Sequence, residues 1–330
     1  MLTIRQNLME TIRGGNPDRF VNQYEFIPLL MGMHPIARKF PAAQPGGEVV
    51  NGWGVTYRWG KDQPGAFPVH DDAHKVLKDI TKWKNVVKAP SLDFPASEWE
   101  SSIKTAEAVN RNEVFACPMI APGVFEQLHY LQGIDTALAN MFEEPGYTHE
   151  IVDYIVEYEL RLAEGICTYI KPDAIFHHDD WGTQTSSFFS PEMFEEYFVP
   201  AYKKIYGYYR SHGVELIIHH SDSYAANLVP QMIDIGIDIF QGCITTNDVP
   251  GLVKKFGEKI SFMGDLNNGV MDKADWTPEL IRTEVERACR ANGKHYFIPC
   301  LTRGGPGTIY PGVYEETSRE IDRMSKVLFG

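Results

Sequence analysis

Clustered positive charge is what this chain conspicuously lacks. Over 330 residues the formal net charge is −13, and no block rich in Lys or Arg appears. A phosphate backbone is held by grouped cations, so nucleic acid is excluded as the expected partner. Long apolar runs are missing too: nothing approaches the roughly 18 residues of a membrane span. The opening Met1-Leu-Thr-Ile-Arg-Gln-Asn7 has no apolar signal-type core either. The expectation is a cytoplasmic chain with no membrane partner. Cysteine is sparse and odd in number (Cys117, Cys167, Cys243, Cys289, Cys300), without Cys-x-x-Cys spacing, which fits reduced thiols and excludes a disulfide framework. No Gly-x-Gly-x-x-Gly follows a strand, no Gly-Lys-Ser/Thr occurs, and Gly-x-Ser-x-Gly is absent. Nucleotide cradles and serine hydrolase elbows therefore lack support.

What is present is enough apolar material, 43% of residues, to bury one large core over residues 1–330. Residues Thr3 to Gly14 place Ile4, Leu8, Met9 and Ile12 at helical spacing, ended by Gly14-Gly15-Asn16-Pro17. Phe20–Ile27 alternates like a strand. The stretch from Pro41 to Lys88 shows no sustained period and predicts a long excursion over the C-terminal face, the kind that often forms a lid or binding loop. From Glu113 the pattern turns regular. Strands are expected at Val114–Ile120, from Asp173, at Val214–Ile218, from Ile237, from Lys259 and from His295, with helices between them, including Val124–Leu138 and Thr148–Tyr169. Ser190-Pro191 should open another helix as N-cap and first turn. Alternation of this kind predicts an α/β chain with a parallel sheet, closed as a (β/α)8 TIM barrel behind an N-terminal helix and loop extension.

In such a barrel the reactive groups collect where strands stop. Val214-Glu-Leu-Ile-Ile-His-His-Ser-Asp-Ser223 runs from an apolar strand straight into His219, His220, Ser221 and Asp222. His177, His178, Asp179 and Asp180 end another strand, Asp265 and Asn267 a third, and Cys300 the last. Among these, His220, Asp222 and Cys300 offer an imidazole, a carboxylate and a thiolate, a donor set that zinc accepts with a fourth position open. Arg303-Gly-Gly-Pro-Gly307 could wrap an anion with its backbone N–H groups, or be a plain loop before the last helix.

Several segments, in this order, resemble the uroporphyrinogen decarboxylase superfamily: Thr3 through Arg19, Asp180-Trp-Gly-Thr-Gln184 leading to Ser190-Pro-Glu192, Ile218-His-His-Ser-Asp222, and Met263-Gly-Asp-Leu-Asn267. The resemblance implies a (β/α)8 fold and one of two branches. The porphyrinogen decarboxylases carry an arginine-rich segment at the end of their first strand. The matching Phe20–Pro28 has no arginine and an acidic Glu25, which would repel a polycarboxylate.

The other branch comprises cobalamin-dependent methyltransferases, resembling methylcobalamin:coenzyme M methyltransferase, that bind zinc through a His-x-Cys pair and a distant Cys. His220-Ser221-Asp222 matches the pair with Asp in place of Cys, and Cys300 falls where the distant Cys belongs. A carboxylate in place of a thiolate makes the metal harder, suited to an ether oxygen. The resemblance thus implies O-demethylation of a methoxylated aromatic, with methyl transfer to the Co(I) corrinoid of a partner protein. The reverse transfer to a thiol, and a metal-free binding role, are the alternatives. No Asp-x-His-x-x-Gly signature is present to hold a corrinoid within this chain. Expected roles are zinc binding by His220, Asp222 and Cys300, catalysis by His220, Asp180 and Glu25, and gripping of the ring by Tyr24, Phe26, Trp181 and Tyr224.

Overall fold

In the computed structural model, which describes residues 1–61, 63, 65–302 and 309–330, strands and helices alternate from residue 117 onward. β1 is Leu29–Leu30. β2 (Glu48–Val50), β3 (Thr56–Arg58) and β4 (Phe67–Pro68) form a small antiparallel sheet within the excursion. Next come β5 (Cys117–Ile120), β6 (Ala174–His178), β7 (Leu216–His220), β8 (Ile239–Cys243), β9 (Ser261–Leu266) and β10 (Phe297–Leu301). Together with β1 they make a parallel sheet in the order β1-β5-β6-β7-β8-β9-β10. Consecutive strands are neighbours, the order of a TIM-like α/β barrel.

Among the described residues the sheet has seven strands, not the expected eight, and β10 does not pair with β1. Phe20–Ile27, expected as a strand, is irregular. Its Gln23 turns the chain with φ 50°, and the Gln23 amide donates to Ser318 Oγ at 2.8 Å, on the helix Val313–Phe329. This segment nonetheless lies across the gap: Phe115 N–H donates to the Phe26 carbonyl at 2.9 Å, and Leu301 N–H reaches Gln23 Oε1 at 3.5 Å. One backbone bond and one side-chain bond there take the place of a regular ladder.

Alternation along the strands produces two cores. Phe176, Leu216, Ile218, Ile239, Met263, Ile298 and Cys300 fill the inside together with Phe26 and Phe115. Ile175, Ile217, Phe240, Phe262 and Phe297 face the helices. Truncating one of the larger inner residues to Ala would cost about 2–5 kcal/mol.

The helices follow their local signals. Ile4–Ile12 begins at a capping box in which Thr3 and Gln6 satisfy each other's backbone N–H. Ser190 Oγ accepts from Met193 N–H to start Pro191–Tyr197. The helix expected over Val124–Leu138 is two, Val124–Gln132 and Ile134–Glu143, because Gly133 sits at φ 87° between them. The long helix Pro145–Tyr169 follows. The excursion packs beside the end of β5, with Tyr57 edge-on to Tyr130 at 5.9 Å and His70 edge-on to His129 at 5.6 Å. Among the described residues no helix is long and apolar enough to cross a membrane.

Candidate functional site

β6 and β7 both end in His-His, and their parallel register sets His177 beside His219 and His178 beside His220. A period of two then sends one pair toward the helices and the other into the barrel mouth. The outward pair is structural. The Tyr206 hydroxyl lies 3.1 Å from His177 Nδ1 and 2.8 Å from His219 Nδ1, bridging the two rings. Both imidazoles are buried; desolvation, with His178 close by, pushes His177 down to about 3 and holds His219 well below its ordinary value.

The inward pair stacks, ring centroids 4.4 Å apart. His178, Asp180 and His220 bring one donor atom each to within 4.8 Å of one another, the one such group of metal-capable side chains among the described residues. Their orientation is fixed from behind. Gln241 Nε2 donates to the Thr302 carbonyl at 3.2 Å and to the Tyr24 hydroxyl at 2.9 Å. A carbonyl can only accept, so the amide oxygen of Gln241 must face His220 Nδ1, which it meets in a short hydrogen bond. His220 therefore carries its proton on Nδ1 and keeps the lone pair on Nε2, 4.0 Å from Asp180. Gln241 reaches this position because Gly242, at φ 87°, carries a bulge in β8; a Cβ there would lie 2.7 Å from the Ser221 carbonyl.

His178 is held in the same manner, its Nδ1 2.9 Å from Glu126 Oε2. Burial alone would lower His178, but Glu126, with Asp180 and Asp179, outweighs it and raises the imidazole to about 9. A cation taken up by that ring displaces its proton. His220 titrates in the other direction, lowered by burial and by the neighbouring His178. Glu126 in turn is placed by Asp179, whose carboxylate accepts from the N–H groups of Phe125 (3.0 Å) and Glu126 (2.7 Å) and so caps the helix Val124–Gln132. Trp181 Nε1 at 3.0 Å and the Tyr202 hydroxyl complete its shell. Burial, followed by the charge of Glu126, raises Asp179 above the usual carboxylate range.

The other expected site residues are distributed unevenly. Asp180 and His220 stand in the group. Asp222 is close, its backbone N–H donating to Asp180 Oδ1 at 2.7 Å, but its carboxylate is outside the set of converging donors. Cys300 is also outside it. Its thiol is fully buried, donates to the Leu301 carbonyl at 3.0 Å beside the Tyr24 hydroxyl, and is pushed up by burial. The zinc set implied by the family, His220 with Asp222 and Cys300, therefore does not converge here, whereas two imidazoles and a carboxylate do. Glu25 accepts from Asn22 N–H at 3.0 Å, has Arg19, Asp322 and Asp18 as charged neighbours, and is outside the converging group. Tyr24, half-buried, touches the group through Gln241.

Phe26 lies in the inner core, and Trp181 is fully buried, stacked on His219 at 3.8 Å. Neither ring faces the mouth. Tyr224 is half-buried on the loop after β7, where its N–H donates to the Thr183 carbonyl at 2.7 Å. Asp265 is tied to Arg287 at 3.2 Å and to Asn292 at 2.6 Å, a helix anchor. The Arg303–Gly307 anion loop falls outside the described residues. Sequence reasoning missed Glu126 and Gln241, which hold the two imidazoles.

Fold and site together define an α/β barrel-type protein with a histidine-carboxylate centre at its strand ends. The chain belongs to the uroporphyrinogen decarboxylase family, whose sequence profile matches residues 69–315. No curated protein matches it by sequence. Among solved structures, a methyltransferase from Methanosarcina mazei superposes with a TM-score of 0.65 over 98% of this chain and 99% of that one, at 12% identity. At that identity the likeness establishes the fold. A D-psicose 3-epimerase determined in the presence of D-fructose overlaps at a TM-score of 0.40 and 12% identity, over 72% of this chain and 86% of the other.

Proposed function

We propose that this chain is a metal-assisted methyltransferase that takes the methyl group of a small aryl methyl ether and delivers it to the Co(I) corrinoid of a partner protein. The observation that carries the proposal is the convergence of His178, Asp180 and His220 at the ends of β6 and β7, each imidazole held on Nδ1 by a second side chain. Such backing is what orients histidine ligands in metal sites. These three residues would hold a divalent cation, zinc being the one that suits the set. When bound, the cation supplies Lewis acidity to the ether oxygen, whose bonding pair stays behind as phenolate when the methyl carbon leaves.

The protein's own groups do the rest. Glu126 and Gln241 keep both Nε2 atoms turned to the mouth, Asp179 keeps Glu126 in place, and the apolar inner core beneath limits water. The donor set also bears on direction. Nitrogen and oxygen donors without thiolate make a hard site, which favours an ether oxygen over a thiol sulfur. The full-length likeness in fold to a protein called a methyltransferase supports the reading, and the absence of arginine from Phe20–Pro28 argues against decarboxylation of a polycarboxylate.

The test is transfer itself. Zinc-loaded protein is mixed with Co(I) cobalamin and a panel of methoxylated arenes, and the cobalt spectrum is followed. Loss of the Co(I) band that requires both arene and protein is the expected result. If methyl moves only from methylcobalamin to thiols, the direction is reversed; if it moves in neither direction with metal bound, the chain is a binding protein on the same fold.

A further inference from the structure

A second site lies next to this centre, at the C-terminal end of β5. A cavity of about 580 Å³ opens there between the excursion and the helix Pro145–Tyr169. Phe40, Trp53, Trp59, Met119, Tyr158 and Leu162 are among the residues of its wall, and Trp53 meets Tyr158 edge-on at 4.9 Å. The volume is that of a small-molecule site, and ring-rich walls favour a planar guest. None of His178, Asp180 and His220 lines it.

Two polar side chains in this wall each carry a buried atom that makes no hydrogen bond. Gln127 and Glu159 are each 3% exposed, and Gln127 Nε2 and Glu159 Oε2 are buried without a hydrogen-bond partner. Glu159 Oε2 faces His177 Nε2, which likewise makes no hydrogen bond, at 3.8 Å. Proteins seldom leave such atoms unmet, because burying a polar group without a partner is costly. Among the described residues no Lys, Arg or Asp lines the cavity, and His34 and Glu159 are its titratable groups besides tyrosines. Desolvation lowers His34 to about 4, and desolvation together with Asp179 raises Glu159 to about 8, which favours the neutral form of each near pH 7. The site offers polar groups on an apolar wall and, among the described residues, no cationic side chain.

We infer that this cavity binds an uncharged, ring-sized aromatic molecule whose ether, phenol or carbonyl oxygen accepts from Gln127 and Glu159, and that it excludes arenes bearing a carboxylate. The inference concerns binding and stands apart from the methyl-transfer reading. An arene carboxylate entering here would be stripped of water with no cation to meet it.

The experiment is a calorimetric titration of the full chain at pH 7 with 1,2-dimethoxybenzene, 3,4-dimethoxybenzoate and the saturated ring 1,2-dimethoxycyclohexane, with tryptophan fluorescence as a second readout. Dimethoxybenzene should bind saturably and at least about tenfold more tightly than the benzoate, the rough scale for burying an unpaired charge. It should also outbind the saturated ring. Leu162→Trp, at a half-buried wall position, should abolish binding by filling the cavity. Gln127→Leu should weaken it about fivefold or more, the loss expected for one hydrogen bond. Glu159→Gln, still neutral and able to donate, should retain it within about threefold. Circular dichroism checks that each variant is folded. Equal or tighter binding of the benzoate, parity of the saturated ring, or undiminished binding by a folded Leu162→Trp protein would overturn the inference.

Discussion

Adding one methyl group at Gly123 should collapse the support of the candidate centre without touching any of its three converging residues. Gly123 precedes the helix Val124–Gln132, and a Cβ there would lie 2.4 Å from Asp179 Cβ, 2.7 Å from Asp179 Cγ and 2.9 Å from the Tyr202 hydroxyl. Carbon atoms pack comfortably at about 3.5–4.0 Å, so something must retreat by about 1 Å or more. The Gly123 backbone, at φ −80°, suits alanine, which leaves steric overlap as the sole cause. Overpacking of this kind costs about 1–3 kcal/mol. Pulling Asp179 from the Phe125 and Glu126 amides weakens a helix cap for about a further 1 kcal/mol. Gly123→Ala is therefore expected to lower unfolding free energy by about 2–4 kcal/mol. Urea denaturation reads this as a lower midpoint at unchanged slope. Because Asp179 also sets Glu126 behind His178, zinc affinity by competition with a chelator should fall in the same variant. A Gly123→Ala protein within about 0.5 kcal/mol of the parent, with parental zinc affinity, would refute the claim that Asp179 links the helix to the centre.

Gln241→Leu removes the acceptor that fixes the His220 tautomer and should weaken zinc binding about 10–100-fold, measured by chelator competition. Cys300→Ala should leave zinc affinity unchanged, since that thiol is committed to the Leu301 carbonyl. His34 is buried, accepts from Ile36 N–H on Nδ1, and has its pKa lowered by burial from 6.5 to about 4. A depressed folded-state value means that its contribution is present above pH 6.5 and lost as pH falls toward 4. Between pH 7 and 5 the parent should lose about 2 kcal/mol more than His34→Phe, seen as the difference between their urea-derived stabilities.

Much of the frame was legible in the sequence because it rests on local signals. The first helix read from Ile4, Leu8, Met9 and Ile12, the Ser190-Pro191 helix start and the apolar runs entering His178 and His220 all form as local chemistry requires. Where the reading failed, distant contacts had overruled local preference. Phe20–Ile27 alternates like a strand, yet Gln23 is drawn to Ser318 almost three hundred residues away and turns the chain. The periodless excursion conceals β2, β3 and β4, each too short to show a pattern. Trp181 resembled a ring for gripping substrate until the buried Asp179 carboxylate, two residues before it, took its indole N–H. Glu126 sits in an ordinary amphipathic helix, and only the cap that Asp179 places on that helix brings it behind His178. Strand ends can be named from sequence, but which of two adjacent histidines looks inward is decided by register.

The central claim, that the metal is held by His178, Asp180 and His220, is most directly tested by zinc K-edge X-ray absorption on the loaded protein. The expected nearest scatterers are nitrogen and oxygen alone, at about 2.0–2.2 Å. A sulfur scatterer at about 2.3 Å would put Cys300 or another thiolate on the metal and contradict it.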